Sequence, residues 1–294
     1  MTMSNFPTGI TSFGIPIVGP GNLYYSGMGR SGGDVTAKNK IIFVDSAATG
    51  DGTGRDWANA KTTIQTGVNA ARYDYGTTDI NYDDDRQCFV LVAPGNYAER
   101  VAFSAKNVHV IGLGVPGTDN GVTLNPSAPS TFSFAFSGNG CEFANFCVVT
   151  ATAVFGMYLP PAESCRFHDL YLQGNGAGTY GMYIDETGLK GTSIYDCVID
   201  SYITCGIYAA THADAYAIQG SIQRNIIGGT SVKGIDIDIT TCYAYVIAHN
   251  YVTGTSSASI ECASTGILVC NNWVDRQPSG TLTARDNHYS SAGA

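Results

Sequence analysis

From residue 141 onward one arrangement of apolar positions recurs: an apolar residue, two of any kind, a marked residue, one of any kind, and a second apolar residue. It fits Phe143-Phe146-Val148, Phe167-Leu170-Leu172, Ile194-Cys197-Ile199, Ile222-Asn225-Ile227, Ile247-Asn250-Val252 and Val269-Asn272-Val274. The marked residues are 24, 27, 28, 25 and 22 positions apart. The first five are followed 9 to 11 residues later by a second short run, led by Gly156, Gly181, Gly206, Gly234 and, less clearly, Ser259. Two strand-length runs per repeat, in fixed order and with a period in the twenties, describe one coil of a β-solenoid. The 3.6-residue period of a helical array is absent. The predicted fold is all-β, a parallel β-helix in which each coil buries its apolar face only by stacking on its neighbours.

Side chains alternate along a strand, which gives the glycine-led run an inside and an outside. Met157, Met182, Ile207, Ile235 and Ile260 fall on one side with Leu159, Ile184, Ala209, Ile237 and Cys262, and this apolar set is predicted to be interior. The outward set is Tyr158, Tyr183, Tyr208, Asp236 and Glu261, with Asp185 and Asp238 two residues further along their strands. Asn225, Asn250 and Asn272 fall in register, where stacked amides hydrogen-bond along the axis. They are read as structural devices, not ligands.

Earlier coils are less regular, with strands expected at "IIFV" (41–44), "CFVLVAP" (88–94), "VHVIG" (108–112), "GVTLNP" (121–126) and "FSFAF" (132–136). Between the first two, Ile64, Val68 and Ala71 share one face at helical spacing, with Thr62 or Thr63 as a cap. This short helix suits the lid that an open solenoid end requires. Three segments follow: an extended N-terminal arm over 1–39, the β-helix over 40–275 and a short polar tail over 276–294. The arm carries Phe6, Phe13, Ile15, Ile17 and Val18 without a core of its own. It is expected to dock on another surface.

Composition narrows the function classes. The chain has 294 residues, 36 of them glycine, and is 44% hydrophobic but only 13% charged. That charged share is about half the usual one and suits stacked strands and turns. The net charge is −9 and no run of Lys or Arg occurs, so a nucleic-acid groove has no electrostatic footprint. No stretch of about 18 apolar residues is present to span a bilayer. The first residues lack the basic start and apolar core of a signal peptide, so synthesis in a cytoplasm is expected. The nine cysteines form no CxxC pair and sit mainly in strand-like runs. There they act as small buried hydrophobes, and reduced thiols are expected.

The stretch "FVDSAATGDGTGRDWANAKTTIQTGVNAA" (43–71), followed by "VLVAPGNYAERV" (90–101), resembles the N-terminal portion of pectate-lyase-like right-handed β-helix proteins. The matching features are Val44-Asp45, Asp51-Gly52, Trp57, Thr63-Ile64-Gln65 and Val92 through Glu99. With the repeats, the resemblance covers about residues 41–275. It implies a right-handed single-stranded parallel β-helix, but not an activity, because function lives in sites placed on the fold. The lead segment "NFPTGITSFGIPIVG" is similar to that of β-helix proteins of tailed bacteriophages. This likeness implies a capsid decoration or other head-associated virion protein. Its arm would contact the major capsid protein or another virion protein, and it would be a homotrimer.

Two chemistries compete for the outward column. Coils stack about 4.8 Å apart, so Asp236 and Glu261 become neighbours, with Asp238 one step along. Carboxylates about 5 Å apart suit a retaining glycosidase, and tyrosine faces could stack sugars. A polysaccharide-binding or polysaccharide-cleaving spike with Asp236, Asp238 and Glu261 as catalytic groups is therefore an alternative. Against it, the bases between 141 and 275 are Arg166, Lys190, Arg224 and Lys233, and none falls in the column. Tyr158, Tyr183 and Tyr208 are then read as a cross-strand ladder or a protein interface. "NYDDDRQ" (81–87) lacks the alternate spacing of a calcium loop, and "GLGVPG" (112–117) lacks the GK[ST] of a phosphate loop. The five histidines occupy different repeat slots, so neither a metal site nor a cofactor is expected. The favoured reading is a non-enzymatic structural protein.

Overall fold

The computed structural model describes residues 10–12, 15–18, 39–73, 87–127, 131–150, 154–160, 162–176, 178–185, 189–210, 216–230 and 232–289. Phe6, Phe13 and the 83–85 acidic run lie outside these residues. Within the arm, Ile10–Ser12 and Ile15–Val18 pair antiparallel.

Most of the remaining strands form three long parallel sheets, visited in the same order on successive coils, and Tyr216–Ile218 pairs with Thr241–Tyr243 in a separate two-stranded sheet. The first sheet runs from Asn39–Val44 through Gln87–Val92, Val108–Gly112 and Glu142–Ala144 to Thr283–Arg285. The second runs from Gly95–Tyr97 to His288–Tyr289, and the third contains Phe132–Asn139, Phe155–Leu159, Tyr180–Ile184, Cys205–Ala209, Lys233–Ile237 and Ile260–Cys262. This is a right-handed parallel β-helix. Both runs of the sequence repeat lie where alternation places them: Met157, Met182, Ile207, Ile235 and Ile260 are fully buried, as are Val148, Leu172, Ile199, Ile227, Val252 and Val274.

The first and second sheets meet at a bend held by one residue with positive φ on successive coils: Asn145, Asp169, Asp196, Arg224, His249, Asn271 and Asp286. Asn and Asp tolerate this left-handed conformation best among residues with a Cβ, because their short polar side chains bond locally. Just past the bend the marked slot turns inward. There Cys197 N donates to Asn225 Oδ1 at 3.0 Å, Asn225 N to Asn250 Oδ1 at 3.0 Å and Asn250 N to Asn272 Oδ1 at 2.9 Å. Each amide thus satisfies a backbone donor that the bend leaves without a ladder partner.

The helix spans Ile64–Tyr73 and packs Ile64, Val68 and Ala71 into the N-terminal end of the core. Thr63 Oγ1 accepts from Thr66 N at 3.2 Å, as a cap should. The two preceding amides, Ile64 N and Gln65 N, donate to the Glu99 carboxylate at 2.6 and 3.0 Å. A negative side chain at a helix N-terminus meets unpaired amides and the positive end of the dipole. The glutamate of the "PGNYAE" stretch is thus a long-range helix cap.

At the C-terminal end the structure departs from the expected polar tail. Ser279–Gly280, Thr283–Arg285 and His288–Tyr289 extend all three sheets. Asn287 adds another rung to the amide ladder, accepting from Asn272 N at 3.1 Å and Asn272 Nδ2 at 2.9 Å. The described β-helix therefore continues to Tyr289.

Candidate functional site: an aromatic ladder and its acidic end

The third sheet carries two aromatic columns rather than one. In register, Phe132 aligns with Phe155 and Tyr180, while Tyr158 aligns with Tyr183, Tyr208, Asp236 and Glu261. Strict alternation misses Phe155 and Tyr180 because the glycine after each faces inward, as does the methionine that follows it. A Cβ on Gly181 would lie 2.6 Å from Ile199 Cγ2, and one on Gly206 2.5 Å from Ile227 Cγ2, both interior side chains.

The rings stack on one another along the axis. Phe155 lies 4.4 Å from Tyr183 at 29°, Tyr180 lies 5.1 Å from Tyr208 at 25°, and Phe132 lies 6.0 Å from Tyr158 at 19°. Arg100 covers Phe132 at 5.0 Å. Tyr158 OH donates to Asp185 Oδ2 and Tyr208 OH to Asp238 Oδ2, each at 3.0 Å. Burial and the hydrogen bond to Asp238 push the Tyr208 hydroxyl well above its ordinary pKa. Stacking with the faces turned along the axis leaves ring edges toward solvent, whereas a sugar platform needs an open face.

At the ladder's end, Lys233 corrects the expectation that no base reaches the column. Its Nζ lies 2.8 Å from Asp236 Oδ2 and 3.1 Å from Glu261 Oε2. Lys233 sits beside Gly234, in register with Cys205 and the second aromatic column, and its long side chain crosses to the acids. Asp236 is 6% exposed, and its Oδ1 is buried with no hydrogen-bond partner. Burial, opposed by Lys233 and reinforced by Asp238 and Glu261, raises the Asp236 carboxyl to about 6. A carboxyl pKa raised on folding gives a stability contribution that is complete below the unfolded value and lost as pH rises through the folded one. Asp236→Asn is therefore expected to flatten the fall in unfolding free energy between about pH 4 and pH 6, read from urea titrations at stepped pH. An unchanged slope would show that Asp236 does not carry this proton.

A second polar cluster, unseen in the repeat pattern, lies on the first sheet. Glu142 Oε2 meets His109 Nδ1 at 2.9 Å, and Glu142 Oε1 meets His168 Nε2 at 2.7 Å. His168 Nδ1 meets Asp169 Oδ2 at 2.7 Å, so each of its ring nitrogens faces a carboxylate. Although burial works against the charge, the bonds to Glu142 and Asp169 raise the His168 pKa. Burial likewise opposes the ionised form of Glu142, yet its two histidine partners hold its pKa far below the usual carboxylate range. Tyr195 stacks on His168 at 4.7 Å, and Arg224 covers Tyr195 while pairing with Asp196. Among the described residues no group of three or more His, Cys, Asp or Glu is arranged to hold a metal ion. No helix among them is long and apolar enough to cross a membrane.

No family model and no curated protein matches the chain. Solved structures do. A pectin methylesterase from Erwinia chrysanthemi superposes with a TM-score of 0.50 at 12% identity, over 87% of this chain and 90% of the other. An alginate lyase from Paenibacillus sp. gives 0.46 at 14% identity, over 80% and 76%. The Dettilon tailspike protein gives 0.42 at 14% identity over 83% of this chain, which spans 59% of the tailspike's length. At such identities the likeness concerns fold. The chain has the right-handed parallel β-helix fold of these structures.

Proposed function

We propose that this chain is a non-enzymatic virion structural protein, a capsid decoration β-helix held through residues 1–39 on the major capsid protein or another virion protein. The observation that carries the non-enzymatic reading is that the side chains of the third-sheet face pair mainly with one another. Ring faces lie against ring faces, tyrosine hydroxyls bind Asp185 and Asp238, and Lys233 bridges Asp236 and Glu261. Such a face stiffens the solenoid along its length, as cross-strand pairs of aromatic and opposite-charge residues do. The sequence likeness of the lead segment to tailed-phage β-helix proteins supports the virion setting, and three copies side by side would be its natural assembly.

A polysaccharide-cleaving spike is the second reading, favoured by one observation. The acids do have a base beside them, and Asp236 has the pKa of a group able to give up a proton near neutrality.

Two measurements separate these readings. Full-length chain is expected to co-sediment with purified capsids of its virus, and chain lacking residues 1–39 to stay in the supernatant. Retained binding after the deletion would end the docking proposal. Turnover of a bacterial polysaccharide that Asp236→Asn abolishes would replace the structural reading with the enzymatic one.

A further inference from the structure

Nine cysteines are distributed through the described coils; all are free thiols, and all but Cys270 are buried. Their matched neighbours along the axis are mostly other residue types. Cys147 faces Thr123 and Tyr171, Cys205 faces Tyr180 and Lys233, Cys262 faces Ile237 and Gly280, and Cys270 faces Ala248 and Arg285. Cys141 and Cys165 are the exception. They immediately precede the paired residues Glu142 and Arg166, so they occupy the same slot on consecutive coils of the first sheet.

In this slot a side chain on one coil receives the backbone amide of the coil before it. Val108 N donates to Cys141 Sγ at 3.3 Å, and one coil on Cys165 N donates to Thr192 Oγ1 at 3.4 Å. The rule that stacks the asparagines thus stacks these two residues, and each thiol donates to a backbone carbonyl beside it, Cys141 Sγ to Ala105 O at 3.5 Å and Cys165 Sγ to Glu163 O at 3.2 Å. Paired parallel strands lie about 4.8 Å apart, within the roughly 4.4–6.8 Å between Cα atoms that a disulfide spans.

We propose that Cys141 and Cys165 are the site of an intrachain disulfide, formed when the folded chain meets hydrogen peroxide, which joins two consecutive coils covalently. The two sulfurs are equivalent in this step, and Cys165 is taken as the attacking one. The Cys165 thiolate displaces hydroxide from peroxide and becomes a sulfenic acid, the released hydroxide leaving as water with the thiol proton. The Cys141 sulfur then attacks the sulfenic sulfur, and a second water departs. Two thiols and one peroxide give one disulfide and two waters, with the thiols oxidised by two electrons and the peroxide reduced by two. Both residues are almost fully buried, at 3% and 0% exposure, so the oxidant must be small. Peroxide meets that requirement.

The test uses full-length folded chain, with peroxide as the probe. After treatment, quenching and unfolding, maleimide labelling is expected to fall from nine thiols to seven, with recovery to nine after reduction. Cleavage after glutamate separates the two cysteines, because Glu142 and Glu163 leave Cys141 in fragment 100–142 and Cys165 in fragment 164–186. A mass matching these fragments joined is the expected product. Cys141→Ser and Cys165→Ser each keep an oxygen in the slot and are expected to lose the link. Nine thiols surviving peroxide, a link between other fragments, or a sulfinic acid on fragment 164–186 without a link would each overturn the proposal.

Discussion

Replacing Asn250 by leucine is expected to cost about 4 kcal/mol of unfolding free energy, among the largest effects of any single change in this chain. Asn250 is 1% exposed, so water cannot substitute for what the side chain does. Its Oδ1 accepts from Asn225 N and Asn225 Nδ2, both at 3.0 Å. Its Nδ2 donates to Ile222 O and to Asn272 Oδ1, both at 2.9 Å. Leucine has the same branched outline but is larger and offers neither donor nor acceptor, so it strands polar atoms on the coils above and below. Each buried orphan costs roughly 1–3 kcal/mol, offset in part by about 1–2 kcal/mol from the added apolar burial. The measurement is urea unfolding followed by hydrogen exchange. Because a solenoid is held by nearest-neighbour interfaces, protection is expected to fall first from Asn225 to Asn287, with the helix-capped end less affected. A loss under about 1 kcal/mol would mean that the ladder only tidies the bend.

That ladder also shows what was legible in advance. The register of Asn225, Asn250 and Asn272 followed from spacing alone, because a coil that stacks on its neighbours must return the same residue to the same place. The inward columns followed for the same reason. Asn287 was legible too, since Ala284, Asn287 and Tyr289 repeat the template and pair with Val269 and Val274 as it requires. It was masked by the polar residues around it, on a last coil with little apolar surface left to cover. Lys233 was passed over because alternation assigns slots to backbone positions, whereas a four-carbon side chain reaches across a slot. Phe155 and Tyr180 were missed where glycine breaks the alternation. The Glu142 cluster eluded the pattern for a different reason. His109 precedes the regular repeats, and His168 aligns with Ala144 yet reaches diagonally to Glu142.

The glycine column supports a second large effect. Gly206→Val is expected to destabilise the fold by more than about 4 kcal/mol, or to prevent accumulation of folded chain, and Gly206→Ala by about half as much. The reason is close approach rather than a left-handed backbone, since Gly156, Gly181, Gly206 and Gly234 are absent from the positive-φ residues. A Cβ at Gly206 would meet Ile227 Cγ2 at 2.5 Å and the Gly234 carbonyl oxygen at 2.8 Å. The same crowding recurs one coil earlier, at Gly181, against Ile199 Cγ2 at 2.6 Å and Gly206 O at 2.5 Å. The fifth coil shows what a side chain in this slot demands: Ser259 is fully buried, and its hydroxyl donates to Asp275 Oδ1 at 2.6 Å and accepts from Arg276 N at 2.9 Å. Gly206 has an isoleucine and a carbonyl oxygen where Ser259 has polar partners. Combining Gly206→Ala with Ile227→Ala separates the two contacts. If the isoleucine dominates, the double variant is more stable than the sum of the single losses predicts. If the carbonyl dominates, the losses add, because the backbone of the next coil cannot retreat without breaking its own ladder.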